Sequence, residues 1–171
     1  MAIDFTTGTG HVETTDVIVH MRETASFTAP TTLAEYDALK DAGGFVEIGA
    51  ASGFTFDPSE DKVYNSGYYG RRVTKKKAAL DFIIDNLSVA NIAALETLDG
   101  KAVDVLLEEV PVVATAAAVE GSKFWVFLGQ IFNFTGEKVN DGEHPTVPVK
   151  FEKSAKRISD IRYLGAVPAS A

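Results

Sequence analysis

The chain has 171 residues, 46% of them hydrophobic and 23% charged, with a formal net charge of −8. That length supports one domain with a substantial core. The absence of cysteine excludes a disulfide framework and any thiolate nucleophile or thiolate metal site.

In chain order, residues 1–15 hold glycine and threonine with little apolar content and read as a flexible N-terminal arm without a secretory-signal pattern. "DVIVHMR" (16–22) alternates, with Val17, Val19 and Met21 on one face and Ile18, His20 and Arg22 on the other, which predicts a strand. In "APTTLAEYDALKDAGG", Thr31 or Thr32 can cap a short helix that Gly43 and Gly44 end. "FVEIGAASGFTF" (45–56) reads as strand material interrupted by small residues. Residues 57–77 are polar, charged and glycine-containing, and read as a long loop or an extended hairpin.

"AALDFIID" (78–85) is a strand by alternation. "NLSVANIAALETLDG" is the clearest helix, with Ser88 as N-cap, an apolar stripe of Val89, Ile92, Ala93, Leu95 and Leu98, and Gly100 as the stop. "AVDVLLEEV" and "VVATAAAV" read as strands around Pro111. "KFWVFLGQIFNFTG" (123–136) is apolar on both faces, so both faces need a cover. "TVPVKFEKSA" alternates again, and "DIRYLGAV" is a last candidate strand. No strand–helix–strand alternation recurs and no stretch reaches the roughly 18 apolar residues of a membrane helix. The expectation is one mainly β domain over residues 1–171: an antiparallel β-sandwich or half-barrel with one flanking α-helix and a long polar loop.

Charge is segregated. Residues 1–70 carry −8, residues 71–77 carry +5, residues 78–121 carry −7 and residues 122–171 carry +2. The basic run "RRVTKKK" stands beside Tyr68 and Tyr69, which gives it two readings. Arg71, Arg72, Lys75, Lys76 and Lys77 with stacking tyrosines fit nucleic acid. The acidic flanks fit better a solvated edge, or a patch that meets acid on a neighbouring subunit.

No catalytic set can be assembled. His11, His20 and His144 have no metal-ligand spacing, and adjacent Glu108 and Glu109 point to opposite faces of a strand. "DPSED" lacks the ligand spacing of a helix–loop–helix calcium site, and no phosphate-binding loop or nucleophile elbow is present. The reading is no catalysis, no metal and no cofactor.

Within residues 44–98, "GFVEIGAASGFTFDPSEDKVYNSGYYGRRVTKKKAALDFIIDNLSVANIAAL" resembles bacteriophage tail tube proteins, and "TVPVKFEKSA" is similar to that family's late strand. The resemblance implies a β-sandwich or barrel-like subunit with a flanking helix, the fold shared with type VI secretion tubes. It also implies hexameric rings that stack into a conduit for viral DNA, in a virion tail assembled in the host cytoplasm. The partners so implied are other copies of the chain, other tail proteins and transiently passing DNA, with no membrane.

The expected inter-subunit or inter-ring contacts are Tyr64, Tyr68, Tyr69, Arg71, Arg72, Lys75, Lys76 and Lys77, on the 57–77 assembly loop. Asp81, Asp85 and Asp104 are the candidate lumen-facing acids. The alternatives are a tail terminator or tube initiator of the same fold, or a monomeric β-sandwich binding module that uses the basic Tyr/Arg/Lys loop.

Overall fold

A computed structural model of the chain describes residues 15–64, 71–85, 87–111, 121–139 and 145–169. Its strands are β1 (Thr15–Glu23), β2 (Val46–Tyr64), β3 (Arg71–Asp85), β4 (Ala102–Pro111), β5 (Lys123–Ile131), β6 (Val147–Ala155) and β7 (Arg162–Ala166). They form one curled antiparallel sheet in the order β6-β3-β2-β1-β4-β5-β7. The mainly β half-barrel is as expected. The flanking helices number two rather than one: α1 (Leu33–Asp41) and α2 (Val89–Leu98). The arm at residues 1–14 and the strand read into "VVATAAAV" lie outside the described residues.

Both helices begin where side-chain oxygens meet their first backbone donors. Thr32 accepts from Glu35 N while the Glu35 carboxylate accepts from the Thr32 backbone, a reciprocal cap. Ser88 Oγ accepts from Asn91 N at 3.1 Å. A nine-residue helix such as α1 is marginal alone, so packing must hold it. On α2 only Leu95 is fully buried, flanked by half-buried Ile92 and Leu98, while Val89 is 86% exposed. The buried seam is thus narrower than the predicted stripe. Asn91 Nδ2 donates to Ile48 O at 2.5 Å, which ties the helix to β2.

Within residues 57–77, the described stretches 57–64 and 71–77 are the paired strands of an extended hairpin. β2 and β3 stay paired from Ala50↔Asp85 out to Tyr64↔Arg71. β2 leaves β1 after Ala51 and bulges between Ser52 and Thr55, where Gly53 has φ +62°. A side chain rarely tolerates that conformation, and a glycine bulge bends a strand sharply. The bend carries β2 back across the inner face of the sheet. Phe54 lies 5.6 Å from the Trp125 ring, Phe56 lies 5.4 Å from Phe127, and the Arg162 guanidinium sits 4.4 Å above Phe56. The half-barrel is closed by that aromatic layer.

Two cores result. The inner core joins Val19, Met21, Ile48, Leu80, Phe82 and Ile84 to Val105, Phe127 and Phe151. The outer core lies under α1 and joins Tyr36 and Phe45 to Leu106, Phe124 and Val126. β5 contributes to both, which is why its sequence is apolar on both faces. Both covers that this strand needs come from this chain itself.

Two prolines sit inside strands, Pro58 opposite Ala78 and Pro148 opposite Ile83. A proline keeps a ladder intact only where its missing N–H points away from the partner strand. Ala78 and Ile83 are an odd number of residues apart on β3, so they address opposite neighbours. One phase of the ladder therefore lets both prolines face outward.

Candidate assembly surfaces

The expected contact residues lie on the hairpin. Tyr64, Arg71 and Arg72 are in its paired strands, with Tyr64 opposite Arg71. Tyr68 and Tyr69 lie outside the described residues. Lys75 and Lys76 stand opposite Asp61 and Glu60 in register, and Lys77 Nζ lies 2.5 Å from Glu152 Oε1 of β6. Acid on the same chain thus meets Lys77, which an acidic neighbour was expected to do.

Asp81 and Asp85 occupy the outer face of β3, alternating with inward Leu80, Phe82 and Ile84. Both are partly exposed, and Asp81 Oδ1 is 3.9 Å from Lys150 Nζ. Asp104 does not join them. It is fully buried, so it cannot line a lumen. Its carboxylate accepts from Arg22 Nε at 3.0 Å, Arg22 Nη2 at 2.9 Å, Ala25 N at 3.3 Å and Gly129 N at 2.9 Å. Gly129, at φ +59°, belongs to a bulge of β5 opposite Asp104, where the side chain accepts a backbone donor. A buried carboxylate needs such partners to stay ionised.

Glu108 is the second buried acid of β4. Tyr36 OH donates to its Oε1 at 2.6 Å, Lys40 Nζ donates to Oε1 at 3.0 Å, and His20 Nε2 lies 3.2 Å from Oε2. Burial alone raises this carboxyl, but the hydrogen bonds from His20 and Tyr36 and the Lys40 charge outweigh it and hold it down at about 2. Burial and the same carboxylate push the Tyr36 hydroxyl well above its ordinary range. Burial lowers Lys153, which donates to Leu128 O, against the opposing charges of Asp104 and Asp160.

His20 and Arg22 from β1, with Asp104 and Glu108 from β4, thus hold α1 and the segment before it onto the outer core. Arg22 also donates to Gly43 O at 2.8 Å, just past the end of α1, and its guanidinium lies 4.4 Å over Phe45. This ionic layer is architecture. The sequence signal was a pair of acids four apart on an apolar strand, and so on one face, matched by two bases two apart on another.

Three strand edges have no described ladder partner: the outer edge of β6, just before which Lys138 bridges Thr146, the outer edge of β7, and the β1-side edge of β2 from Ser52 to Tyr64. A groove of about 480 Å³ lies along the β3–β6 region, lined by Gly53, Asp81, Ile83, Asn133, Pro148 and Lys150. Among the described residues no cluster of His, Asp and Glu could hold a metal ion.

No protein-family model and no curated protein matches the chain. Solved structures similar to it include the following two. One, described as the crystal structure of Hcp protein, is 10% identical, with 88% of this chain and 99% of that chain covered and a TM-score of 0.42. The other, a mutant of the Hcp1 protein from E. coli EAEC 042, is 12% identical, with 89% and 98% covered and a TM-score of 0.41.

Proposed function

We propose that this chain is a structural subunit of a phage tail tube, which self-assembles into stacked six-membered rings around a conduit for DNA. The observation that carries the reading is the strand edges on both sides of the β6-β3-β2 unit that have no ladder partner among the described residues, one of them on a nine-residue strand. A lone domain usually blunts such edges, whereas a subunit joins them. The resemblance of residues 44–98 to tail tube proteins supports the same reading. The subunit acts without catalysis, and its other partners are tail proteins of the virion.

The outer face of β2, β3 and β6 is the candidate lumen wall. It carries Asp57, Asp81, Asp85 and Glu152 against Lys75, Lys77 and Lys150, with Lys77 engaged by Glu152 and Lys150 3.9 Å from Asp81. Lysines engaged by acid on the same wall bind phosphate weakly, so DNA slides past without being held. A monomeric nucleic-acid module draws less support, because Lys77 has an acidic partner within the chain.

Electron microscopy of the purified protein at high concentration tests the proposal. Rings or tubes are expected. Persistent monomers across a range of salt and pH would overturn it, and single rings that never lengthen would point to a terminator or initiator.

A further inference from the structure

We infer that the edge of β6 in one copy pairs, in parallel, with the open edge of β2 from Ser52 onward in a second copy. The inference rests on the proposed self-assembly and names the seam that performs it. The two edges lie on opposite sides of the same three-stranded unit, β6-β3-β2. Joining them makes a head-to-tail contact, which closes into a ring when the rotation between copies closes. β6 and β2 are both antiparallel to β3, so they run the same way within a copy. Rotation about a ring axis along the strands keeps that direction, so the seam is parallel.

Length and faces both match. β7 offers five residues, too few to serve most of the open β2 edge, whereas β6 offers nine. On the inner side, half-buried Phe54 and Phe56 border the β2 edge, and Val147, Val149 and Phe151 form the inner row of β6. Pairing continues one apolar layer through the seam. On the outer side, β2 presents exposed Thr55 and Asp57, while β6 presents Lys150 and Glu152. The Lys150 side chain is 74% exposed and only 3.9 Å from Asp81, so it can also meet a carboxylate across the seam. Pairing β6 with a second β6 would instead bring the same lysines together. Pro58 and Pro148 each remove an outward donor, so the seam is an interrupted ladder that relies on these side-chain rows as well.

The chain has no cysteine, so introduced thiols are the only ones present. Four double variants combine Thr55→Cys or Asp57→Cys with Lys150→Cys or Glu152→Cys, all on the outer face. Oxidation of assembled protein should give a ladder of covalent oligomers in at least one double variant and in none of the single ones. Covalent dimers from Lys150→Cys or Glu152→Cys alone would mean that β6 meets β6, and would overturn the inference. So would assemblies in which no double variant cross-links, and this outcome leaves the tube reading standing. A quantitative link within single monomers between Thr55→Cys and Thr9→Cys would put the chain's own N-terminal segment on the β2 edge, and would also overturn it. If the unaltered chain forms no assembly at all, the tube reading itself falls.

Discussion

The hydroxyl of Tyr36 donates to Glu108 Oε1 at 2.6 Å, joining α1 to β4 across the outer core. Tyr36 is almost fully buried and packs its ring 4.8 Å from Phe124, so the hydroxyl has no access to bulk water. Tyr36→Phe keeps the ring and removes only this donor. A loss of about 1–3 kcal/mol is expected for a hydrogen bond to a buried charge, read by urea denaturation. An unchanged midpoint would show that the bond is not formed.

Glu108 makes stability depend on acid. Its folded pKa, about 2, lies below the ordinary glutamate value of 4.5. The stabilisation is therefore complete above pH 4.5 and is lost as pH falls through about 2, amounting to about 3 kcal/mol over that window. Glu108→Gln cannot titrate. The stability gap between the native chain and this variant should close between pH 5.5 and 2. A gap that stays constant would rule the linkage out.

Arg22 and Asp104 form a buried pair in which neither partner can be removed cheaply. Arg22→Met leaves the Asp104 carboxylate with two backbone donors, and Asp104→Leu leaves a guanidinium inside the protein. Each should cost about 3–5 kcal/mol, and the double variant less than the sum. Additive losses in a double-mutant cycle would contradict the pairing.

Gly53 is a conformational requirement and not a steric one, because no heavy atom lies within 4 Å of where its Cβ would stand. Gly53→Ala should cost about 1–2 kcal/mol from the left-handed backbone alone. A neutral substitution would mean that the bend survives without it.

Lys77 and Glu152 are partly exposed, so their contact is worth under about 1 kcal/mol. Lys77→Glu should barely move stability, and adding Glu152→Lys should recover what is lost. If Lys77→Glu alone abolishes tubes and the second change does not rescue them, the lysine reads another copy after all.

The strands that alternate cleanly were legible in the sequence. β1, β6 and the inner half of β3 follow directly from Val19, Met21, Val147, Val149, Phe151, Leu80, Phe82 and Ile84. Both helix starts were legible too, because Thr32 and Ser88 act locally. The distal hairpin was ambiguous because its strands are polar and Pro58 interrupts one of them. Asp104 was misplaced because burial depends on α1 and the segment before it, which come from more than sixty residues away in the chain. Local patterning shows which face a residue shares, but not what covers that face.

The five-residue spacing from Ala78 to Ile83 has a consequence for how the gene can change. Deleting or inserting one residue between them would turn either Pro58 or Pro148 toward β3 and break a ladder bond. Changes in twos preserve the arrangement. This stretch should therefore tolerate length variation only by even steps, a parity constraint set by two side chains on strands that do not pair with each other.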